Sequence, residues 1–196
     1  MISCILLSAG VSSRFGSPKA LAKINTQTVI EYLLSNLIES NINDIAVVLG
    51  AQAEEIKTHV LDHKKVKVVY NKNYNLGQTS SFKVGLEAIK SRCSGIMLLP
   101  VDYPLIKRAT FNVLIDHFMV KTPTILIPTY QQKKGHPPIF AAALRQSFLD
   151  MDYSVGVNSV EHEYVSDTLL LPIDDPGVIG SFNTPEEFNE ILKNYR

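Results

Sequence analysis

Five short apolar runs set the limits on how this chain can fold: Ile5–Leu7, Ile45–Leu49, Val66–Tyr70, Ile96–Leu99 and Thr124–Ile127. Runs of this length read as strands, the first as a buried one and the fourth as fully buried. Between the first two, Val29, Ile30, Leu33, Leu34, Leu37 and Ile38 recur at helical spacing, and Asn41-Ile42-Asn43-Asp44 breaks that helix. Residues 52–62 and 79–92 also read as helical, and Phe111, Leu114, Ile115 and Phe118 mark one face of a further helix. Such alternation predicts an α/β fold, a mostly parallel sheet with helices on both faces. Beyond residue 128 the rhythm becomes irregular, which suits a substrate-covering part of one domain over residues 1–196. The last helix is expected at Thr184-Pro185-Glu186-Glu187, with Thr184 as N-cap, proline at the first helical position and Glu187 closing a capping box.

Composition removes several classes of function. Lys+Arg and Asp+Glu both number 19, so the chain lacks the basic excess that clamps a nucleic-acid polymer. No stretch approaches the roughly 18 apolar residues of a membrane span. The N-terminus lacks the charged region of a signal peptide, so a cytoplasmic protein is expected. Cys4 and Cys93 lie beside apolar sequence and read as reduced thiols.

In open α/β sheets, ligands bind beyond the carboxyl ends of the strands. After the first run comes Leu7-Ser8-Ala9-Gly10-Val11-Ser12-Ser13-Arg14-Phe15-Gly16-Ser17-Pro18-Lys19. Small residues and glycines leave backbone N–H groups uncovered, and successive exposed N–H groups make an anion-binding concavity. Arg14 and Lys19 add full charges, and the whole suits a triphosphate. The glycine spacing fits neither G-x4-G-K-[ST] nor G-x-G-x-x-G.

After the third run, Asn71 to Ser81 place amides and hydroxyls before a helix start, as anion contacts or as simple caps. After the fourth, Asp102 stands between Pro100 and Pro104. A buried carboxylate is costly unless a cation neutralises it, and Mg²⁺ typically takes one or two carboxylates plus substrate phosphates. The alternative is that Asp102 caps the helix starting near Ala109. After the fifth, Lys133 to Phe140 contain His136, without the spacing of a zinc site. Near the end, Asn183 either ligates through its carbonyl oxygen or merely precedes the Thr184 cap.

The first of these loops resembles the signature L-x-A-G-x-S-x-R-x-G-x-x-K of the MobA-like nucleotidyltransferases at Leu7, Ala9, Gly10, Ser12, Arg14, Gly16 and Lys19. The others resemble further motifs of that family, in its order: N-x5-G-x2-S-S-[LF] over Asn71–Phe82, D-x-P at Asp102, G-H-P-x-x-F at Gly135, and D-D-P-G-V-x-x-D-[IV]-[DN]-T-P from Asp174. The resemblance implies a three-layer αβα Rossmann-like nucleotide-diphospho-sugar transferase fold and an Mg²⁺-dependent nucleotidyltransferase. It implies nucleotide contacts at Leu7, Ser8, Ala9, Gly10, Arg14, Lys19, Asn71, Gly77, Ser80 and Ser81. Arg14, Lys19 and Asp102 would be catalytic, Asp102 and Asn183 would hold Mg²⁺, and His136 and Pro137 would face the acceptor.

The nearest branch, the molybdenum cofactor cytidylyltransferases, implies CTP as donor, a molybdopterin-type phosphate as acceptor and a molybdenum hydroxylase downstream. Two other readings remain: transfer to a sugar or methylerythritol phosphate, and a non-catalytic carrier delivering the pterin to a molybdenum hydroxylase. The chain departs from its relatives at Gln78 (commonly methionine), at Ser181 (commonly aspartate) and at Gly156-Val157-Asn158, where the branch has Gly-x-Arg. A phosphate monoester is already mostly ionised at neutral pH and needs no general base. The absence of an obvious catalytic His/Asp pair agrees with that.

Overall fold

A computed structural model describes residues 1–90 and 92–194. β1 (Ile2–Ser8) leads through a small hairpin, β2 (Lys23–Ile24) and β3 (Gln27–Thr28), into α1 (Val29–Glu39). Then come β4 (Asp44–Leu49), α2 (Ala53–Lys57), β5 (Val66–Tyr70), α3 (Gln78–Ala88), β6 (Gly95–Pro100) and α4 (Arg108–Lys121). The final third holds β7 (Ile125–Tyr130), β8 (Lys133–Lys134), β9 (Ile139–Ala141), α5 (Arg145–Asp150), α6 (Val160–Glu163), β10 (Thr168–Pro172) and α7 (Pro185–Asn194).

The sheet runs β10-β7-β9-β6-β1-β4-β5, with β8 folded back on the end of β7. β5, β4, β1 and β6 pair in parallel, and β10 runs parallel to β7. Only β9, antiparallel to both β6 and β7, interrupts that direction in the main run of strands. The three-layer αβα architecture expected from the alternation is therefore present.

β1 shows why its run is apolar throughout. Ile2, Cys4 and Leu6 pack toward Leu33 and Leu34 of α1 and Phe111 and Leu114 of α4. Ile5 and Leu7 pack on the opposite face with Phe82 and Leu86 of α3 and Phe148 of α5. Successive strand side chains alternate faces, so a strand between two helical layers buries the side chains of both its faces. Cys4 and Cys93 are free thiols; Cys4 is wholly buried, and that burial pushes its pKa far above the ordinary thiol value.

Several boundaries differ from the sequence reading. The helix expected over 52–62 stops at Lys57: the Thr58 hydroxyl donates to the Glu55 carbonyl at 2.8 Å, and the His59 ring lies 3.1 Å from the Glu31 carboxylate. Glu31 is itself the reciprocal half of the α1 capping box; the Thr28 N–H, followed by His59, holds its carboxyl down to about 2. The helix expected over 79–92 stops at Ala88, and the Lys90 N–H bonds the Asp44 carboxylate at 3.0 Å; residue 91 lies outside the described residues. The irregular stretch after 128 does more than cover the site, since it adds β9 and β10 to the sheet. At the last helix the Glu187 N–H reaches the Thr184 hydroxyl at 3.3 Å, but the Glu187 carboxylate accepts from the N–H of Asn183 at 2.5 Å, one residue before the expected partner. No helix among the described residues is long and apolar enough to cross a membrane.

The α3–β1 contact is tight enough to test. A Cβ at Gly85 would fall 2.3 Å from Cγ2 of Ile5. Alanine favours a helix over glycine by about 1 kcal/mol, whereas overpacking a core costs about 1–3 kcal/mol. The clash should win: Gly85→Ala should lower stability in urea unfolding, and an unchanged or higher stability would show that the layers yield.

Candidate active site

Three chain segments meet where β1 and β6 end. The loop after β1 brings Arg14 and Lys19, the turn after β6 brings Asp102, and the segment before α7 brings Asn183. Lys19 Nζ lies 3.1 Å from Asp102 Oδ2 and 2.9 Å from Asn183 Oδ1. Arg14 Nη2 donates to the same Asn183 oxygen at 3.0 Å. Together with Ser8, Gly10, Ser12 and Ser13 these side chains line a cleft of about 230 Å³.

The loop after β1 keeps this shape through its own bonds. The N–H groups of Phe15 and Gly16 both donate to the Ser12 carbonyl, at 3.0 and 3.1 Å, and the Lys19 N–H reaches the Ser12 hydroxyl at 3.3 Å. Phe15 then anchors it, packing edge-on against Phe182 and Phe188 with centroids 5.2 and 6.0 Å apart. Phe182 and Phe188 lie 4.6 Å apart and are both buried. Arg14 and Asn183 each neighbour one of these rings in sequence, so a single aromatic cluster fixes both.

The segment before Asn183 is held from three sides. Asp175 is 1% exposed; its carboxylate accepts from the Lys107 N–H at 2.9 Å, the Thr110 hydroxyl at 2.6 Å and the Gly177 N–H at 3.0 Å. The Val178 carbonyl accepts from the His136 N–H at 2.7 Å, and the Phe182 N–H donates to the Asp102 carbonyl at 3.2 Å.

A second cleft of about 200 Å³ shares Leu7 and Gly10 with the first and is otherwise lined by Ala9, Tyr74, Gly77, Gln78 and Ser81. Ala9 is pinned there, its carbonyl accepting from the Ala51 N–H at 3.0 Å. The approach allows no side chain at Gly50, where a Cβ would lie 2.7 Å from both the Ala9 carbonyl oxygen and Tyr74 Cβ.

A family model for the MobA-like NTP transferase domain matches residues 4–168. The chain belongs to this family. The molybdenum cofactor cytidylyltransferase of Escherichia coli (strain K12) is 23% identical over 189 residues, covering 89% of this chain and 92% of that protein. The bifunctional protein GlmU of Clostridium beijerinckii is 30% identical over 142 residues, or 69% of this chain, and the match spans only 30% of that longer protein. Among solved structures, Rv0371c from Mycobacterium tuberculosis H37Rv superposes with a TM-score of 0.84 at 25% identity, covering 98% of this chain and 97% of that one. The same protein has also been solved as a manganese complex.

Not all the residues marked in the sequence face the MobA-like clefts. Leu7, Gly10, Arg14, Lys19, Asp102 and Asn183 gather at the first, with Ser8. Ala9, Gly77 and Ser81 line the second. Asn71 and Ser80 line neither: the Asn71 amide donates to the hydroxyls of Ser80 and Ser81 at 2.9 and 3.0 Å, and Ser80 bonds the carbonyls of Asn73 and Gly77. They shape the loop that carries Tyr74 and Gly77. His136 and Pro137 also line neither cleft. The His136 ring packs on Tyr103 at 4.2 Å, beside Asp102. Burial pulls its pKa below the ordinary imidazole value, against an opposing pull from Asp102 and a hydrogen bond to the Leu98 backbone. Burial likewise raises the Tyr103 phenol against a hydrogen bond with Ser181.

The residues present suit a divalent metal. Asp102 Oδ1 is buried and lacks a hydrogen-bond partner, an uncompensated acceptor beside the cleft. Among the described residues, no group of three or more His, Cys, Asp and Glu could hold an ion alone. One carboxylate and one amide carbonyl fit a hard cation that draws its remaining oxygens from phosphates.

Sequence reasoning passed over Phe15, Phe182, Phe188, Asp175 and Tyr74. Phe15 and Tyr74 stand at variable positions of the motifs, Phe182 stands where the last motif has Ile or Val, and Phe188 lies beyond it, so only their proximity in space shows their use. Asp175 is the most exacting of the five. Asp175→Ala would strand the buried Thr110 hydroxyl and Gly177 N–H, each loss costing about 1–3 kcal/mol. Thermal or urea unfolding should therefore show a loss on the order of 3 kcal/mol, and a change below about 0.5 kcal/mol would exclude this latch.

Proposed function

We propose that the chain joins CMP from CTP to the phosphate of a molybdopterin-type acceptor and releases pyrophosphate. The observation that carries this reading is the meeting of Arg14, Lys19, Asp102 and Asn183 in one cleft, continuous through Leu7 and Gly10 with a second, uncharged cleft. The triphosphate would lie along the first and the nucleoside in the second.

Under this reading an acceptor phosphate oxygen attacks the α-phosphorus, and the bond from that phosphorus to the bridging oxygen of pyrophosphate breaks. No proton needs to move, because the attacking oxygen is already ionised. Catalysis is then placement plus stabilisation of the charge that builds on the leaving group. Arg14 and Lys19 supply fixed positive charge there. A divalent ion, Mg²⁺ in this proposal, held by Asp102 with Asn183 as a neutral helper, would draw charge from the α-phosphate oxygens. The acceptor would approach over Tyr103 and Ser181, with the His136 ring packed against Tyr103. The molybdopterin assignment draws on the Gly135-His136-Pro137 segment and on the near full-length match to the Escherichia coli cytidylyltransferase. A second reading keeps the same chemistry with a sugar phosphate as the acceptor.

Pyrophosphate release from CTP and Mg²⁺ with molybdopterin, compared with sugar 1-phosphates, decides between the acceptors. Pterin binding without pyrophosphate would indicate a carrier instead. Lys19→Ala should cut turnover by roughly 10²- to 10³-fold, the usual effect of removing a preorganised charge, while Lys23→Ala, outside the cleft, should change little. Turnover of Lys19→Ala within about threefold of wild type would refute its role. The Ala9 methyl narrows the second cleft, so CTP should be used better than GTP, within the roughly 10–200-fold that one methyl supports. Ala9→Gly should shrink that preference; equal use of both by the wild type would count against cytidylyl transfer.

A further inference from the structure

The residues proposed to hold the metal are already occupied by cations of the protein. Lys19 Nζ touches both Asp102 Oδ2 and Asn183 Oδ1, and its side chain is only 13% exposed. Arg14 takes the same Asn183 oxygen, so both lone pairs of that carbonyl are engaged. Of the proposed ligand oxygens, only Asp102 Oδ1 is without a partner. A dication entering here would meet one unpartnered oxygen and two cations within contact range of the others.

We infer that the Lys19 ammonium stands in the metal's place until a triphosphate draws it away, so that the site accepts the divalent ion as its nucleoside triphosphate chelate and excludes the free ion. This rests on the metal role proposed above for Asp102. In the nucleotide-free protein, Lys19 neutralises a carboxylate that would otherwise be partly buried and unpaired, an arrangement that is strongly unfavourable. The Lys19 backbone is tied to the Ser12 hydroxyl, while its ammonium sits on a flexible four-carbon stem, so the charge can swing without moving the loop. A triphosphate carries several negative charges against the single one of Asp102, and Arg14 and Lys19 line the same cleft as the predicted phosphate path. Transfer of both cations to the phosphates would release Asp102 Oδ2 and Asn183 Oδ1 together.

The inference gives Lys19 two effects of opposite sign. As a phosphate contact its loss harms turnover, but as a counter-ion its loss should help the bare ion to bind. The test is Mn²⁺ binding to the nucleotide-free full chain, read from the electron paramagnetic resonance signal of unbound Mn²⁺. Lys19→Gln, which removes the charge but keeps a polar side chain, should bind Mn²⁺ at least about tenfold more tightly than wild type, a conservative figure for removing one charge from a partly solvated site. Lys19→Met should do the same and keeps the test valid if the first variant folds poorly by circular dichroism. Adding Asp102→Asn to either variant should abolish the gain. Affinity equal to or weaker than wild type in a folded position-19 variant, including no detectable binding, overturns the inference. If the gain persists in the double variant, the ion is bound elsewhere and the metal role of Asp102 falls with it. If the single variants show no gain while Asp102→Asn weakens Mn²⁺ binding in the presence of a non-hydrolysable CTP analogue, the metal role stands and only the exclusion by Lys19 is lost.

Discussion

The structure depends on the double burial of β1. It is hydrogen-bonded to a parallel neighbour on each side, β4 and β6, and covered by a helical layer on each face. Such a strand cannot shift by one residue, because every side chain would exchange its packing environment. The point where it ends is therefore fixed, and the chain leaves it through small residues at Ser8, Ala9 and Gly10. Neighbouring parallel strands deliver the turn after β6 to the same end of the sheet, which places Asp102 across the cleft from the loop of β1.

Holding the loops at that end is the task of interactions outside the sheet. The rings of Phe15, Phe182 and Phe188 form a small apolar cluster beneath a charged cleft, joining the first and last segments of the site. Asp175 fastens the approach to Asn183 onto the start of α4, where the Lys107 N–H and the Thr110 hydroxyl receive its charge. Backbone bonds from His136 to Val178 and from Phe182 to Asp102 complete the closure. Residues more than 160 positions apart in sequence, Lys19 and Asn183, thus meet within 2.9 Å.

The sheet was legible because its signal is local and strong. Five apolar runs became five strands, and the stripe from Val29 to Leu37 became the buried face of α1. The spacing of Gly10, Arg14 and Lys19 located the charged cleft, and the prolines around Asp102 marked the second wall. β9 was not legible, since three residues carry no period, and β10 was masked by being only half buried. The short extent of α2 and α3 depended on side-chain partners distant in sequence, Glu31 for His59 and Asp44 for Lys90. Asn71 and Ser80 belong to a motif that marks the right loop, but a motif does not say which of its polar groups turn inward to bond one another.

The reversed direction of β9 has an evolutionary consequence. A chain leaving β7 emerges at the cleft end of the sheet, and the antiparallel return through β9 lets residues 133–138 remain there before the chain withdraws toward the opposite end. The strands whose ends frame the two clefts, β5, β4, β1 and β6, are complete before this excursion begins. Insertions or replacements in the excursion leave their pairing untouched. One half of such a scaffold can stay constant over long divergence while the other is refitted.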